Sequence, residues 1–279
     1  ANMVPPGRLT CWGESTINSM NAFEVACASW GCIVAQDAGA GAATTSFVAT
    51  SMASVPVQRI YNATTYVGDA DGSSGYASGI GTNARFANPM GLAMFGGVLA
   101  VADYGNQVIR GVNLTTASVT TLAGTPGVTG RADSANPLAA TFTFPTGVEY
   151  DAAGNLYALD SGTSRIPVRK MTPAGNVTTL AANAVMNNIY GLRYDNTSGI
   201  VYFTDYGEYG SDNLVRALYP NEMVATIADI GCCNPISIAL DTVQRIIYVG
   251  TSFNIFKVSY DGAYQLFSGS LTNMAFADG

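Results

Sequence analysis

The sequence predicts an all-β propeller, and repetition is the first reason. Three stretches run through the same order of features: GLAMFGGVLAVADYGNQVIRGVN from Gly91, GVEYDAAGNLYALDSGTSRIPVRKM from Gly147, and GLRYDNTSGIVYFTDYG…NLVRAL from Gly191. Each has a small residue, apolar alternation, a Gly-bearing turn, a second alternation, an Asp, a polar loop and a basic residue in a third apolar run. The second reason is the period-2 alternation of Val98–Ala102, Ile200–Thr204 and Ile246–Val249, which reads as short half-buried strands. The third is that no helical period persists over a whole helix length. Short antiparallel units that cannot bury both faces alone do so by stacking radially.

The small residues that open the units are Gly31, Gly91, Gly147, Gly191 and Ser237, and a sixth opening is the C-terminal MAFADG. The expected blades cover 27–68, 76–124, 131–182, 185–229 and 232–269. A sixth, closing blade combines 270–279 with 1–26, so that Leu9–Trp12 pairs near Met274–Phe276 and no open edge remains. On this reading residues 1–279 form one six-bladed domain; five blades, or a truncated piece of a longer chain, are the alternatives.

Asp151-Ala-Ala-Gly154 and Asp195-Asn-Thr-Ser-Gly199 supply hairpin turns within the units. The loops leading into two of them are GSSGYASGIGTNARFANPMGL (72–92) and GRADSANPLAATFTFPTGV (130–148). Their Gly-rich start, Ala-x-Phe, Pro-x-Gly order resembles the NHL-repeat family, as does the run from Asp103 to Arg110. The resemblance spans roughly residues 60 to 260. It implies a propeller used as an interaction platform, in which the strand-ending Asp holds the following loop. The last full unit departs from the pattern, with Ser237 in place of Gly and Gly250 in the region of the Asp.

Composition narrows the function classes. The chain is 48% hydrophobic and only 11% charged, with a net charge of −7 and just two lysines, Lys170 and Lys257. Nucleic acid and anionic membrane surfaces call for a basic footprint that this chain does not have. No apolar run is long enough to span a bilayer. A start at Ala1 without Met fits a processed secretory chain, and low Lys with abundant Ser, Thr and Asn fits an extracellular or cell-surface protein. The sequons at Asn62, Asn113, Asn176 and Asn196 are then glycosylation candidates.

Histidine is absent, which removes the usual Ser-His-Asp and Cys-His catalysis and His-ligated zinc or copper. No catalytic constellation stands out, and no cofactor is expected. The remaining metal reading is calcium, held by carboxylates in a central tunnel as in propeller hydrolases and lyases. Asp103, Asp160 and Asp205 could ring such a tunnel. Repetition in successive units favours instead a fold role for these acids, with Arg59, Arg110, Arg169 and Arg216 as their partners. Asp69-Ala-Asp71-Gly72 has the spacing of half a calcium loop, but no closing Glu follows.

Cys11, Cys27, Cys32, Cys232 and Cys233 make an odd set, so at least one is free or bonds outside the chain. Cys11–Cys27 and Cys27–Cys32 are both admissible bridges, and of the adjacent pair Cys232–Cys233 only one is expected to be bridged. The function expected is a non-enzymatic, glycosylated surface or filament module whose partners are proteins, foremost copies of itself. A calcium-dependent hydrolase or lyase is the alternative.

Overall fold

The computed structural model describes residues 64–162, 168–182, 184–186, 188–206 and 212–269, with the backbone of two N-terminal strands. The chain divides into two compact units, Ala1–Ala63 and Thr64–Gly279. In the first, β1 (Glu24–Ala28) and β2 (Gly31–Ala35) form an antiparallel hairpin whose register sets Cys27 opposite Cys32. The expected clasp between Leu9–Trp12 and Met274–Phe276, and with it Cys11, Arg59 and Asn62, lies outside the described residues.

The second unit is a succession of four antiparallel sheets. The first joins β3 (Gly79–Ile80), β4 (Pro89–Phe95), β5 (Val98–Asp103), β6 (Val108–Asn113) and β7 (Ser118–Ala123), with β3 added outside β7. The next is β8 (Phe144–Tyr150), β9 (Leu156–Ser161), β10 (Val168–Met171) and β11 (Val177–Leu180). β12 (Asn188–Asp195), β13 (Ile200–Tyr206), β14 (Asn213–Leu218) and β15 (Val224–Asp229) form the third sheet. The fourth is β16 (Ser237–Asp241), β17 (Ile246–Gly250), β18 (Asn254–Ser259) and β19 (Tyr264–Gly269). β4–β7 and the other three sheets are plain meanders, and among the described residues the only helical turns are short 3-10 segments.

The sheets pack face on face. Ala100, Ala102 and Ile109 of the first meet Val148, Leu156 and Ala158 of the second. Tyr157 and Leu159, on the other face of β9, meet Leu192, Val201 and Phe203 of the third. Tyr202, Val215 and Ala217 then meet Ile238, Ile247 and Val249 of the fourth. Alternate residues of β9 and β13 therefore enter different cores, and both strands are buried on both faces. This corrects the half-buried reading of the second strands: a sheet sandwiched between two others has no solvent face, so its apolar run is nearly continuous. Only β17 keeps the half-buried alternation.

Each inner strand approaches the next closely enough to dictate its small residue. A Cβ on Gly91 would lie 2.6 Å from the Thr146 carbonyl oxygen, and one on Gly147 would lie 2.8 Å from that of Tyr190. One on Gly191 would lie 2.9 Å from the Ile238 nitrogen. β4, β8 and β12 all carry a register shift here, between Pro89 and Leu92, Pro145 and Val148, and Ile189 and Leu192. A bulge bends the strand at the point where two backbones come together. The β16 pairing is regular. Ser237 faces Gly250, where a Cβ would collide with the Ser237 hydroxyl.

Candidate functional site

The repeated acids and bases meet. The Asp103 carboxylate accepts from the Ala87 amide at 2.7 Å and from Asn106 Nδ2 at 2.8 Å, with Arg110 Nη1 3.4 Å away. Arg110 in turn donates to the carbonyls of Ala77 and Arg85, and its guanidinium lies over the Tyr76 and Phe86 rings. The second sheet repeats the plan. Asp160 accepts from the amides of Thr143 and Phe144, Arg169 stands 3.6 Å from it, and Arg169 donates to Ala132 and Thr141 while covering Phe142. Asp205 pairs with Arg216 at 2.8 Å in the third. Arg110 and Arg169 thus thread the loops that lead into their own sheets, and the Ala-x-Phe elements at 84–86 and 140–142 are the parts that wrap them. In the fourth sheet the pairing register puts Gly250 and Lys257 at these two positions.

These acids are spent on the fold. Burial raises the Asp103 carboxyl, and pushes Asp160 up to about 6 despite its amide donors and Arg169. Burial likewise lowers Arg169. The pair is therefore dominated by desolvation, as expected for charges taken out of water. An acid whose folded pKa exceeds its unfolded value of about 3.9 binds the proton more tightly when folded, so its contribution to stability grows as pH falls between about 6 and 4. The stability gap between wild type and Asp160→Asn, measured by urea unfolding, should widen from pH 7 to pH 4.5. A narrowing gap would mean that Arg169, not burial, governs Asp160.

The other acidic candidate is committed as well. Asp69 accepts from the Asp71 amide at 3.1 Å and pairs with Arg85 Nε at 3.0 Å. The backbone donor is the main reason that its carboxyl sits below the usual range. Asp69–Gly72 is a tight turn with Gly72 at φ +77°. No cluster of three or more acidic or thiol side chains able to hold a metal occurs among the described residues.

The four inner strands line an open cavity of about 280 Å³. Its wall is the bulge region itself: Gly91, Gly147, Gly191 and Ser237, with Met90, Leu92, Val148 and Ile236 beside them. The polar side chains of the wall are Thr146, Tyr190, Arg193 and Ser237, with no carboxylate among the described residues. Arg193 reaches Glu149 at 3.2 Å, and burial raises the Glu149 carboxyl against the pull of that arginine.

Aromatic rings gather beside this wall, and the sequence reading missed them. Tyr190 stacks on Tyr206 with centroids 5.5 Å apart, and Tyr104 stacks on Phe144 at 4.8 Å. Burial, a hydrogen bond with Tyr206 and the nearby Tyr206 and Tyr104 phenols push Tyr190 up to about 12. At neutral pH it is therefore a neutral phenol, a hydrogen-bonding group and not a base. The missed signal was the Asp-Tyr-Gly triplet, which occurs at 103–105 and again at 205–207. Tyrosine follows the strand-ending Asp both times.

The described sequons lie where strands turn. Asn113 ends β6, Asn176 precedes β11, and Asn196 sits between β12 and β13; all three are exposed. Asn113 Oδ1 accepts from the amides of Thr115 and Thr116, and Asn196 Oδ1 accepts from the Ala152 amide of the preceding sheet. Cys232 and Cys233 are free thiols, both half-buried. Among the described residues no helix is long and apolar enough to cross a membrane.

No family model matches the chain, and no curated protein matches its sequence. Solved structures do. A chain of a nidogen–laminin complex superposes with a TM-score of 0.54 at 15% identity, covering 67% of each chain. A protein of unknown function from Bacteroides thetaiotaomicron gives 0.57 at 17% identity, over 75% of this chain and half of that one. Streptogramin B lyase gives 0.50 at 12%, over 68% of this chain and 57% of that one. Identities this low speak for architecture alone. The fold is a β-propeller, and its four described sheets are blades.

Proposed function

We propose that this chain is an extracellular NHL-type propeller that works by contact rather than by turnover, with copies of itself as its foremost partners. The proposal includes a six-bladed ring closed by N- and C-terminal strands. The observation that carries the contact reading is the outer strand of the last described blade. Every residue of β19 is exposed, Tyr264, Leu266 and Phe267 among them, and Phe253 and Ile255 just before and on β18 are exposed too. An exposed, apolar edge strand is a template for another chain, and such patches mark interaction sites. The engagement of Asp103, Asp160 and Asp205 by arginines supports the same reading, because these acids were the candidates for a carboxylate-bound calcium.

Sedimentation of the wild type beside a Leu266→Asp, Phe267→Asp variant tests it. The wild type should sediment as an assembly and the variant should shift toward a 28.9 kDa monomer with unchanged circular dichroism. Identical size distributions would remove β19 from the account. Glycosylation of a surface protein has a separate readout. Material secreted from a eukaryotic host should exceed the polypeptide mass, with sugar at Asn113, Asn176 or Asn196; the bare mass would contradict the extracellular reading.

A further inference from the structure

Cys232 and Cys233 lie in the loop between β15 and β16, just ahead of Ile236 on the cavity wall. Adjacent cysteines are held together by one peptide unit, but their side chains usually diverge. Here the backbone leaves the extended form that drives them apart. Gly231, Cys233 and Asn234 have φ values of +71°, +76° and +48°, so two non-glycine residues in succession take the left-handed conformation. That arrangement is costly and persists only where surrounding structure enforces it. The enforcement is visible on both sides: the Asn234 amide donates to Asn213 Oδ1 at 3.1 Å, and the Ser252 amide donates to the Cys233 carbonyl at 2.9 Å. Asn254 Nδ2 points at Cys233 Sγ from 3.5 Å, and the neighbouring Cys233 thiol adds to burial in raising the Cys232 thiol.

We propose that Cys232 and Cys233 form a thiol–disulfide exchange site that takes low-molecular-weight disulfides such as oxidised glutathione. Cys233 is the attacking sulfur, since the Asn254 side-chain amide donates to it. Cys232 is the resolving one, its thiol pushed up to about 11 by burial and by its neighbour. Cys233 gives its proton to solvent, and its sulfur attacks one sulfur of glutathione disulfide. That S–S bond breaks, and the departing glutathione thiolate takes up a proton. Cys232 then loses its proton to solvent and attacks Cys233 sulfur, displacing the second glutathione, which is protonated in turn. Two protein thiols are oxidised to one disulfide, and one glutathione disulfide is reduced to two thiols. Neighbouring Cα atoms are about 3.8 Å apart, below the roughly 4.4 Å at which ordinary disulfides begin. The product is strained, so reduced glutathione reopens it and the site cycles.

The test uses the native chain, its folding monitored by circular dichroism, equilibrated with oxidised and then reduced glutathione and digested with trypsin. Cleavage after Arg216 and Arg245 puts both thiols on one peptide, apart from Cys11, Cys27 and Cys32. That peptide should lose two hydrogens and regain them on reduction. Cys232→Ser should stop at one glutathionyl adduct on Cys233. Cys233→Ser should form its adduct on Cys232 about tenfold more slowly, because burial holds the Cys232 thiol in its protonated form. Two unreacted thiols, two stable adducts, a disulfide resistant to reduced glutathione, or equal adduct rates in the two variants would each overturn the assignment.

Discussion

Asp160→Ala is expected to destabilise the fold by about 3–5 kcal/mol at neutral pH, the usual cost of breaking a buried ion pair from one side. Arg169 is 1% exposed and would keep its charge with one fewer partner, while the amides of Thr143 and Phe144 would lose their acceptor. The cost should therefore come mostly from what is left behind. Removing the arginine as well, in Asp160→Ala with Arg169→Met, should recover part of the loss, because the orphaned charge goes too. Urea unfolding of the three variants measures both numbers. A single-variant loss below about 1 kcal/mol would place the pair among ordinary surface interactions. Lys257→Ala, at the same position in the last blade, should cost no more than about 0.5 kcal/mol.

The second large effect sits at the inner strands. Gly91→Ala should cost about 1–3 kcal/mol, and Gly147→Ala a similar amount, through overpacking. The added methyl groups would meet backbone atoms, the Thr146 and Tyr190 carbonyl oxygens, which cannot swing aside as a side chain can. Ser237→Gly should fall below that range, because the last blade has no bulge there and already accommodates a side chain. Thermal unfolding ranks the three, and a neutral Gly91→Ala would mean that the inner strands separate more easily than their packing implies.

Repetition made the repeating features of the fold legible. Asp103 with Arg110 and Asp160 with Arg169 recur at similar spacings, and a recurring acid and base in successive units must answer a need common to all of them. The departure at Ser237 and Gly250 was equally readable, and the structure supplies its reason in the contact between the two. Two things escaped. The double burial of β13 was hidden because Ile200–Thr204 reads as half-buried alternation without its neighbouring sheets. The aromatic stacks escaped because Tyr190 and Tyr206 sit at different points of the repeat, so no linear spacing pairs them. The close approach that demands Gly91 involves Thr146, far along the chain, and only the packing of consecutive blades brings the two together.

Contact rather than turnover is the central claim, and the solution mass of the native protein tests it most directly. Light scattering over a concentration series, with and without reductant, should give a mass that is a multiple of 28.9 kDa and rises with concentration. A single 28.9 kDa species at every concentration that also hydrolyses a lactone or ester in a calcium-dependent way would contradict it.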